Sequence, residues 1–427
     1  MLLKALLRRL IKTGSLTYYD PAGHRHDFGD PASGPCVAIR ITDKRTPLRI
    51  ALDPRMALGE AYMDGTLRME QGTLYDFLEL CARNLGTQGS MASEILARWR
   101  DWVLRKWQQW NPLGASSSNV RHHYDLDGRL YDLFLDTDKQ YSCAYFETPE
   151  TTLEQAQLAK KRHIAAKLRL SPGLRVLDIG SGWGGMALYL AEQHDVEVLG
   201  VTLSVEQHAV ATKRAQERGL ADRVKFEIRD YRKLDGQFDR IVSVGMFEHV
   251  GTPHYPAYFN SLKRLLKPDG VALLHSIGRA DGPGSTAGFI RRYIFPGGYS
   301  PALSEVLPAI ERSGMWATDI EILRLHYAET LRHWRQRFMA RWEAAKTLYD
   351  ERFCRMWEFY LAGSEITFRY MGHMVFQIQL AQDVDVLPLT RDYMLEDGRG
   401  LALPPAFNTA AFSSGAPAPA RAARSPA

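Results

Sequence analysis

Along the middle of the chain, apolar residues come in short blocks whose period switches back and forth between that of a buried strand and that of a helix. Val176, Leu177 and Ile179 form a short apolar run suited to a strand covered on both faces. Beyond a cluster of glycines, Met186, Ala187, Leu190 and Ala191 recur at helical spacing. The alternation continues with a strand at 196–201, a helix at 205–218, strands at Val224–Ile228 and Phe238–Val244, a helix at 255–266 and a strand at 271–276. Repeated strand–helix units predict a parallel sheet. Ahead of it, Leu153, Ala156, Ala159, His163 and Ala166 predict a helix leading into the first strand.

The first hundred residues are patterned differently. Short runs such as Cys36-Val37-Ala38-Ile39-Arg40-Ile41 and Leu48-Arg49-Ile50, then a helical stretch from Leu74 to Leu80, predict a separate small α+β domain. The Ser- and Gly-rich stretch 112–119 reads as a linker. After the sheet pattern, residues 331–361 predict one or more Arg-rich amphipathic helices carrying Trp334, Phe338, Trp342, Phe353 and Trp357, and 366–379 adds late sheet structure. The tail from about Pro404 is Ala, Pro and Ser with two arginines, too poor in large apolar groups to fold alone. The expected division is residues 1–115, 120–385 and a C-terminal extension from 386.

Composition narrows the classes. A chain of 427 residues with 45% hydrophobic content exceeds one ordinary core. A formal charge of +5 permits an anionic partner without signalling nucleic acid. The four cysteines, Cys36, Cys81, Cys143 and Cys354, are scattered with no C-x-x-C pair, which argues against a zinc site or a disulfide framework and fits a reducing cytoplasm. Adjacent His122 and His123 point to different sides of any regular element, so no metal is expected there. Trp102, Trp107 and Trp110 at near-helical spacing read first as core, with a lipid-facing surface as the alternative. Residues 1–12 carry Leu3, Leu6, Leu7 and Leu10 on one helical face and Lys4, Arg8 and Lys12 on another, with no acidic residue. Such a helix either attaches to an anionic bilayer surface or packs on its own domain with its charges in water. It is no secretory signal, and no run of about 18 uncharged apolar residues offers a transmembrane span.

The glycine cluster follows a strand and opens a helix, and Gly180, Gly182 and Gly185 satisfy G-x-G-x-x-G. A turn of this kind aims backbone N–H groups at a ligand, and side chains at its first two glycines would obstruct a nucleotide. A plain strand–helix turn is the bland alternative. For NAD an acidic residue should end the second strand and hold the ribose hydroxyls. Here the strand ends in Thr202-Leu203-Ser204, which favours S-adenosylmethionine (SAM), a ligand with no pyrophosphate. Ligands of open α/β sheets bind outside the carboxyl ends of the strands, where Asp230, Glu248 and His275 fall. Asp230 is placed to accept from an adenine amino group. His275 inside Leu273-Leu274-His275-Ser276-Ile277 must be hydrogen-bonded or functional.

Five ordered blocks then carry a resemblance: Tyr141-Ser142-Cys143-Ala144-Tyr145, Leu177-Asp178-Ile179-Gly180-Ser181-Gly182-Trp183-Gly184-Gly185, Thr202-Leu203-Ser204-Val205-Glu206-Gln207, Phe247-Glu248-His249-Val250-Gly251 and Leu274-His275-Ser276-Ile277-Gly278. The chain resembles the cyclopropane-fatty-acyl-phospholipid synthases, kin to the mycolic acid cyclopropane synthases. The resemblance implies a Rossmann-like class I SAM-dependent methyltransferase domain behind a smaller N-terminal α+β domain. It implies SAM contacts at Tyr141, Ser142, Gly180, Gly182, Thr202, Leu203 and Gln207. It also implies a bicarbonate ion held by Cys143, Glu248, His275, the backbone of Ile277 and Tyr327. Ser181 stands where many relatives have Cys, and Asp230-Tyr231-Arg232 follows the phospholipid branch rather than the Trp-Glu of mycolate-modifying relatives.

The implied reaction joins a methylene group from SAM to the double bond of unsaturated phospholipid acyl chains. An alkene is a weak nucleophile, so the sulfonium methyl must lie in line with its π bond. The carbocation that follows needs a dry cavity, aromatic faces, for which Tyr293, Phe295, Tyr299, Trp316 and Tyr327 are available, and one base to close the ring. The glycine-rich segment 279–301 reads as a wall over the acyl chain, with a plain surface loop as the alternative. The expected setting is the inner face of the cytoplasmic membrane, with peripheral attachment to an anionic surface and a homodimer left open. A methyl-branched product, another small-molecule substrate and a non-catalytic lipid-binding role are the rivals.

Overall fold

A computed structural model describes residues 2–85 and 127–396; the stretch 112–119, the tryptophans at 102, 107 and 110, the histidine pair and the C-terminal tail lie outside those residues. The front part runs α1 (Leu2–Leu10), β1 (Gly14–Tyr19), β2 (Arg25–Asp30), β3 (Cys36–Ile41), α2 (Thr46–Leu52), α3 (Pro54–Met63), β4 (Leu67–Gln71) and α4 (Leu74–Leu85). Its four strands pair in the order β2-β1-β3-β4, with only the β1–β3 pair parallel. Leu16, Tyr18, Val37, Ile39 and Ile41 supply the buried face. The N-terminal helix adds Leu3 and Leu7 to that core, and Lys4 pairs with Asp20 at 2.9 Å, so it packs on its own domain. Leu2, Leu6, Arg8 and Arg9 stay exposed. The run at 48–50, expected to alternate as an extended segment, lies instead inside α2. Pro47 opens that helix, where its missing N–H costs nothing.

The second part contains α5 (Gly128–Asp132), α6 (Leu153–Leu168), β5 (Arg175–Ile179), α7 (Gly185–His194), β6 (Glu197–Thr202), α8 (Val205–Glu217), β7 (Val224–Ile228), β8 (Phe238–Val244), α9 (Tyr255–Leu265) and β9 (Leu266–Arg279). After these come α10 (Leu303–Ser313), β10 (Trp316–Leu323), α11 (His326–Ala340), α12 (Trp342–Leu348), α13 (Glu351–Tyr370) and β11 (His373–Ala381). The seven strands order as β10-β11-β9-β8-β5-β6-β7; the five from β5 to β9 are parallel, and β11 runs antiparallel to both its neighbours. The five parallel strands are what the alternation predicts, and the whole is the Rossmann-like sheet the resemblance implies. Its strands read as apolar runs because helices cover both faces.

Two late boundaries differ from expectation. Ile366 to Tyr370 belongs to the end of α13, and the strand begins at His373, after the break at Met371-Gly372. The helix is buried on several sides, against α11, α3 and α4, so its apolar residues do not form the single stripe that marks a surface helix. Ala362 and Ile366 of α13 enter the front core, and Tyr62 donates to Glu358 across the junction at 2.6 Å. A Cβ at Gly59 would sit 2.4 Å from the Phe289 ring, so only glycine lets α3 lie this close to the 279–301 segment.

Candidate functional site

Two cavities open side by side at the carboxyl ends of the parallel strands. The first is built on the glycine turn between β5 and α7. Gly180 and Gly182 both take positive φ, +84° and +53°, a region that disfavours any side chain with a Cβ. A Cβ at Gly180 would meet Met246 at 2.9 Å, whereas one at Gly182 would meet nothing within 4 Å and would project into free space. Tyr141, Ser142, Gly180, Gly182, Thr202, Leu203, Gln207 and Asp230 all line this cavity. Thr202 Oγ1 donates to Gln207 Oε1 at 3.0 Å, and Ser204 caps α8 by accepting from the Gln207 N–H. That bonding fixes the polar edge where an acidic residue is missing.

Asp230 accepts from the Arg232 backbone N–H and pairs with its guanidinium at 2.6 Å. Burial pushes its carboxyl up, but Arg232 outweighs burial and holds it below the usual range. Sequence reasoning passed over Asp178, which lines the same cavity from the end of β5. Its Oδ2 is buried with no hydrogen-bond partner, and desolvation pushes the carboxyl up to about 7 against the nearby charge of Lys160. The signal was present, since an acid inside Val176–Ile179 is as anomalous as His275 inside its own strand.

The second cavity takes in Cys143, Glu248, His275, Ile277 and Tyr327 together. Phe295, Tyr299, Ile290 and Val375 make it largely apolar. Tyr293 lies outside the lining and donates instead to Glu60 of the front domain at 2.9 Å. Trp316, expected among the available aromatics, is exposed at the start of β10, the outermost strand, and takes no part. Tyr141, Ser142, Gly245 and His249 line both cavities and form their shared boundary.

The polar groups of the second cavity are distinctive. Glu248 Oε1 accepts the Ile277 backbone N–H at 2.7 Å, so that amide serves the carboxylate rather than standing free for an ion, as the resemblance had implied. Glu248 Oε2 is buried without a partner. Desolvation raises this carboxyl to about 7, with the Ile277 bond opposing it. Burial lowers His275 to about 3, so its ring is neutral. Gln377 Nε2 lies 3.2 Å from His275 Nδ1, and in this amide orientation it donates there, which places the ring proton on Nε2 and leaves Gln377 Oε1 buried without a partner. Burial raises the Cys143 thiol, keeping it protonated and a poor nucleophile. The Tyr327 ring packs against Phe368 and Trp334. A neutral imidazole, an unreactive thiol and one unpaired carboxyl oxygen thus share an apolar chamber.

A family model described as mycolic acid cyclopropane synthetase matches residues 113–378. A cyclopropane-fatty-acyl-phospholipid synthase of Escherichia coli strain K12 is 36% identical over 359 residues, 81% of this chain and 88% of that protein. A probable fatty acid methyltransferase of Pseudomonas putida is also 36% identical, over 354 residues, 81% of this chain and 86% of its own length. Among solved structures, the cyclopropane synthase MmaA2 from Mycobacterium tuberculosis superposes with a TM-score of 0.60 at 34% identity, covering 64% of this chain and 99% of that one. The mycolic acid cyclopropane synthase CmaA1 complexed with S-adenosylhomocysteine (SAH) and CTAB superposes with a TM-score of 0.59 at 35% identity, covering 62% and 97%.

Proposed function

The chain belongs to the mycolic acid cyclopropane synthetase family and is a SAM-dependent methyltransferase, and from that premise we propose that it cyclopropanates unsaturated acyl chains of membrane phospholipids. The observation that carries this reading is the buried, unpartnered Glu248 oxygen in an apolar chamber that shares a wall with the glycine-turn cavity.

In this reading Tyr141, Ser142, Gly180, Gly182, Thr202, Leu203, Gln207 and Asp230 hold SAM in the first cavity. The open space at Gly182 and the unpaired Asp178 Oδ2 fit a nucleoside bearing an ammonium group. Bound there, SAM supplies an electrophilic sulfonium methyl. The boundary residues Tyr141, Ser142, Gly245 and His249, which line both cavities, would separate the bound cofactor from the acyl chain. Phe295, Tyr299 and Tyr327 line the cavity and would offer aromatic groups to a cation on the acyl chain, while the largely apolar walls would exclude water. His275 and His249 are neutral, the latter lowered to about 4 by burial, so neither repels that cation.

Cys143, Glu248, His275 and Tyr327 are the groups that would hold bicarbonate, which would supply the base for ring closure. The donor set fits a small oxyanion: the His275 Nε2–H can donate to it, and a Glu248 carboxyl raised to about 7 can orient it through a hydrogen bond. Catalysis is proposed to occur at the inner face of the cytoplasmic membrane, with the exposed Leu2, Leu6, Arg8 and Arg9 touching lipid. No helix among the described residues is long and apolar enough to cross a membrane.

Transfer ending in a methyl branch is the second reading, favoured by the Pseudomonas putida relative. Incubation with SAM and vesicles of defined unsaturated phospholipids, followed by mass spectrometry and proton NMR of the lipids, separates the two. Cyclopropane ring protons are expected. A branch methyl would move the assignment to the second reading, and an unmodified lipid pool would refute both.

A further inference from the structure

Lys160 lies on α6, one layer behind both cavities, and its side chain is fully buried. Its Nζ donates to Gln140 Oε1 at 2.6 Å and to Ser142 Oγ at 2.8 Å. One turn earlier on the same helix, Gln157 Nε2 donates to the backbone carbonyls of Ser142 at 3.0 Å and Gln140 at 3.3 Å. These four bonds grip residues 140–143, the strip that lines the first cavity through Gln140, Tyr141 and Ser142 and the second through Tyr141, Ser142 and Cys143. The strip also touches the glycine turn, because a Cβ at Gly185 would lie 2.2 Å from Gln140 Nε2. The ammonium bonds directly to two neutral oxygens, and the charges of Asp136 and Asp138 offset only part of its desolvation, so a neutral side chain of similar length would pack there without that cost.

We propose that Lys160 is a positioning residue for methyl transfer: by holding Gln140 and Ser142 from behind, it sets the separation between the SAM cavity and the acyl cavity. The inference rests on the assignment of those two cavities. The groups facing it are Asp136 and Asp138 from the preceding loop, Lys161 on its own helix, Cys143 on the strip, Asp178 on β5 and His275 on β9. Asp138 is itself paired with Lys161 and Arg214. Desolvation lowers Lys160 to about 8, so its charge, and with it the strength of the grip, falls away within an accessible pH range.

The test uses the full chain with Lys160→Met, Lys160→Arg, Ser142→Ala and the Lys160→Met/Ser142→Ala double variant. Calorimetry with SAM, steady-state turnover on unsaturated vesicles and melting curves are recorded for each. For Lys160→Met, kcat should fall about a hundredfold, the loss that follows from a misplacement of about 1 Å, while KM for lipid stays near that of the wild type. Lys160→Arg should recover part of the loss. Ser142→Ala should cost turnover in the wild type and less in the Lys160→Met background, because the bond to Lys160 is already gone there and only the Ser142 contact with the cavity remains to be lost. Wild-type turnover should decline above about pH 8, and the Met variant should lack that limb. Wild-type turnover in Lys160→Met, or independent effects of the two substitutions in the cycle, would overturn the proposal. If Lys160→Met does not fold, a pH limb unchanged in Lys160→Arg and a cost-free Ser142→Ala would overturn it equally. Failure of the wild type itself to bind SAM would instead refute the cavity assignment.

Discussion

Glu248→Gln keeps the shape of the side chain and removes its charge, and the structure sets the size of two opposite effects. Burial raises this carboxyl from 4.5 to about 7. At about 1.4 kcal/mol per pH unit of displacement, the folded protein disfavours the charged form by about 3 kcal/mol. A raised acid is no burden at low pH, where folded and unfolded chains both hold the proton. The penalty grows as the pH rises from 4.5 and is complete above about 7. Gln has no proton to lose. Relative to wild type, the variant should therefore gain up to about 3 kcal/mol of stability on going from pH 4 to pH 8. The amide N–H2 that Gln leaves without an acceptor costs the same at both values, so the difference between the two pH values isolates the ionisation.

Turnover should move the other way. With its acceptor oxygen replaced, the chamber loses the group that orients the base, and general acid–base contributions of this kind are worth about a hundredfold to ten-thousandfold. SAM binding should persist, since Glu248 lines only the second cavity. Removing dissolved carbonate should slow the wild type and affect the variant less. Thermal midpoints at the two pH values, calorimetric SAM affinity and cyclopropane yield measure each part. A variant that makes product at the wild-type rate, or shows the wild-type dependence of stability on pH, would refute the assigned environment and role of this carboxyl.

Other outcomes follow from single positions. Gly182→Val places a branched side chain at φ +53° and into open space within the first cavity, so SAM affinity should fall at least about tenfold, by 1.4 kcal/mol or more, in a chain that calorimetry and circular dichroism show to be folded; undiminished binding would sink the glycine-turn assignment. Arg8→Glu with Arg9→Glu reverses exposed charge while sparing Leu3, Leu7 and Lys4, which hold the N-terminal helix in place. At about 1 kcal/mol per basic residue near an anionic surface, sedimentation with anionic vesicles should weaken on the order of tenfold or more, and salt should weaken the wild type similarly. Equal sedimentation of the two proteins would assign this helix to packing alone.

The parallel part of the sheet was legible in sequence because its central strands carry short apolar blocks covered on both faces, while the edge strand at Val224–Ile228 alternates buried Val224 and Phe226 with polar Lys225 and Glu227. The strands at Val224–Ile228 and Phe238–Val244 fall where the pattern placed them, and the helix opening at Val205 ends one residue short of expectation. The polar lining of the second cavity stood out for the opposite reason, since His275 and Glu248 are polar groups that an apolar run would not otherwise tolerate. Elements whose exposure depends on partners distant in sequence were not legible. The end of α13 looked like a strand because the front domain buries it from a second side. Trp316 looked available for catalysis because nothing in its neighbours reveals that β10 is the outermost strand. Lys160 drew no reading from the sequence, since the strip that buries it lies 20 residues earlier.

The antiparallel strand shows why such distant residues matter to the chemistry. β11 inserts beside β9 and sets Gln377 opposite His275. Donation from Gln377 to Nδ1 leaves the imidazole proton on Nε2, and burial keeps that tautomer neutral. A charged imidazolium would repel a cation growing on the acyl chain, and the other neutral tautomer would present a bare nitrogen, a nucleophile, to an electrophilic methyl. The chamber thus avoids side reactions through burial and through the hydrogen bonds given to some of its polar atoms. Cys143 stays a thiol because it is desolvated, Glu248 Oε1 is engaged by the Ile277 amide, and His275 is held in its donor form by Gln377. Among these groups Glu248 Oε2 is the one acceptor without a partner, so under the proposed mechanism hydrogen bonds made outside the reacting atoms leave that oxygen to orient the ring-closing base.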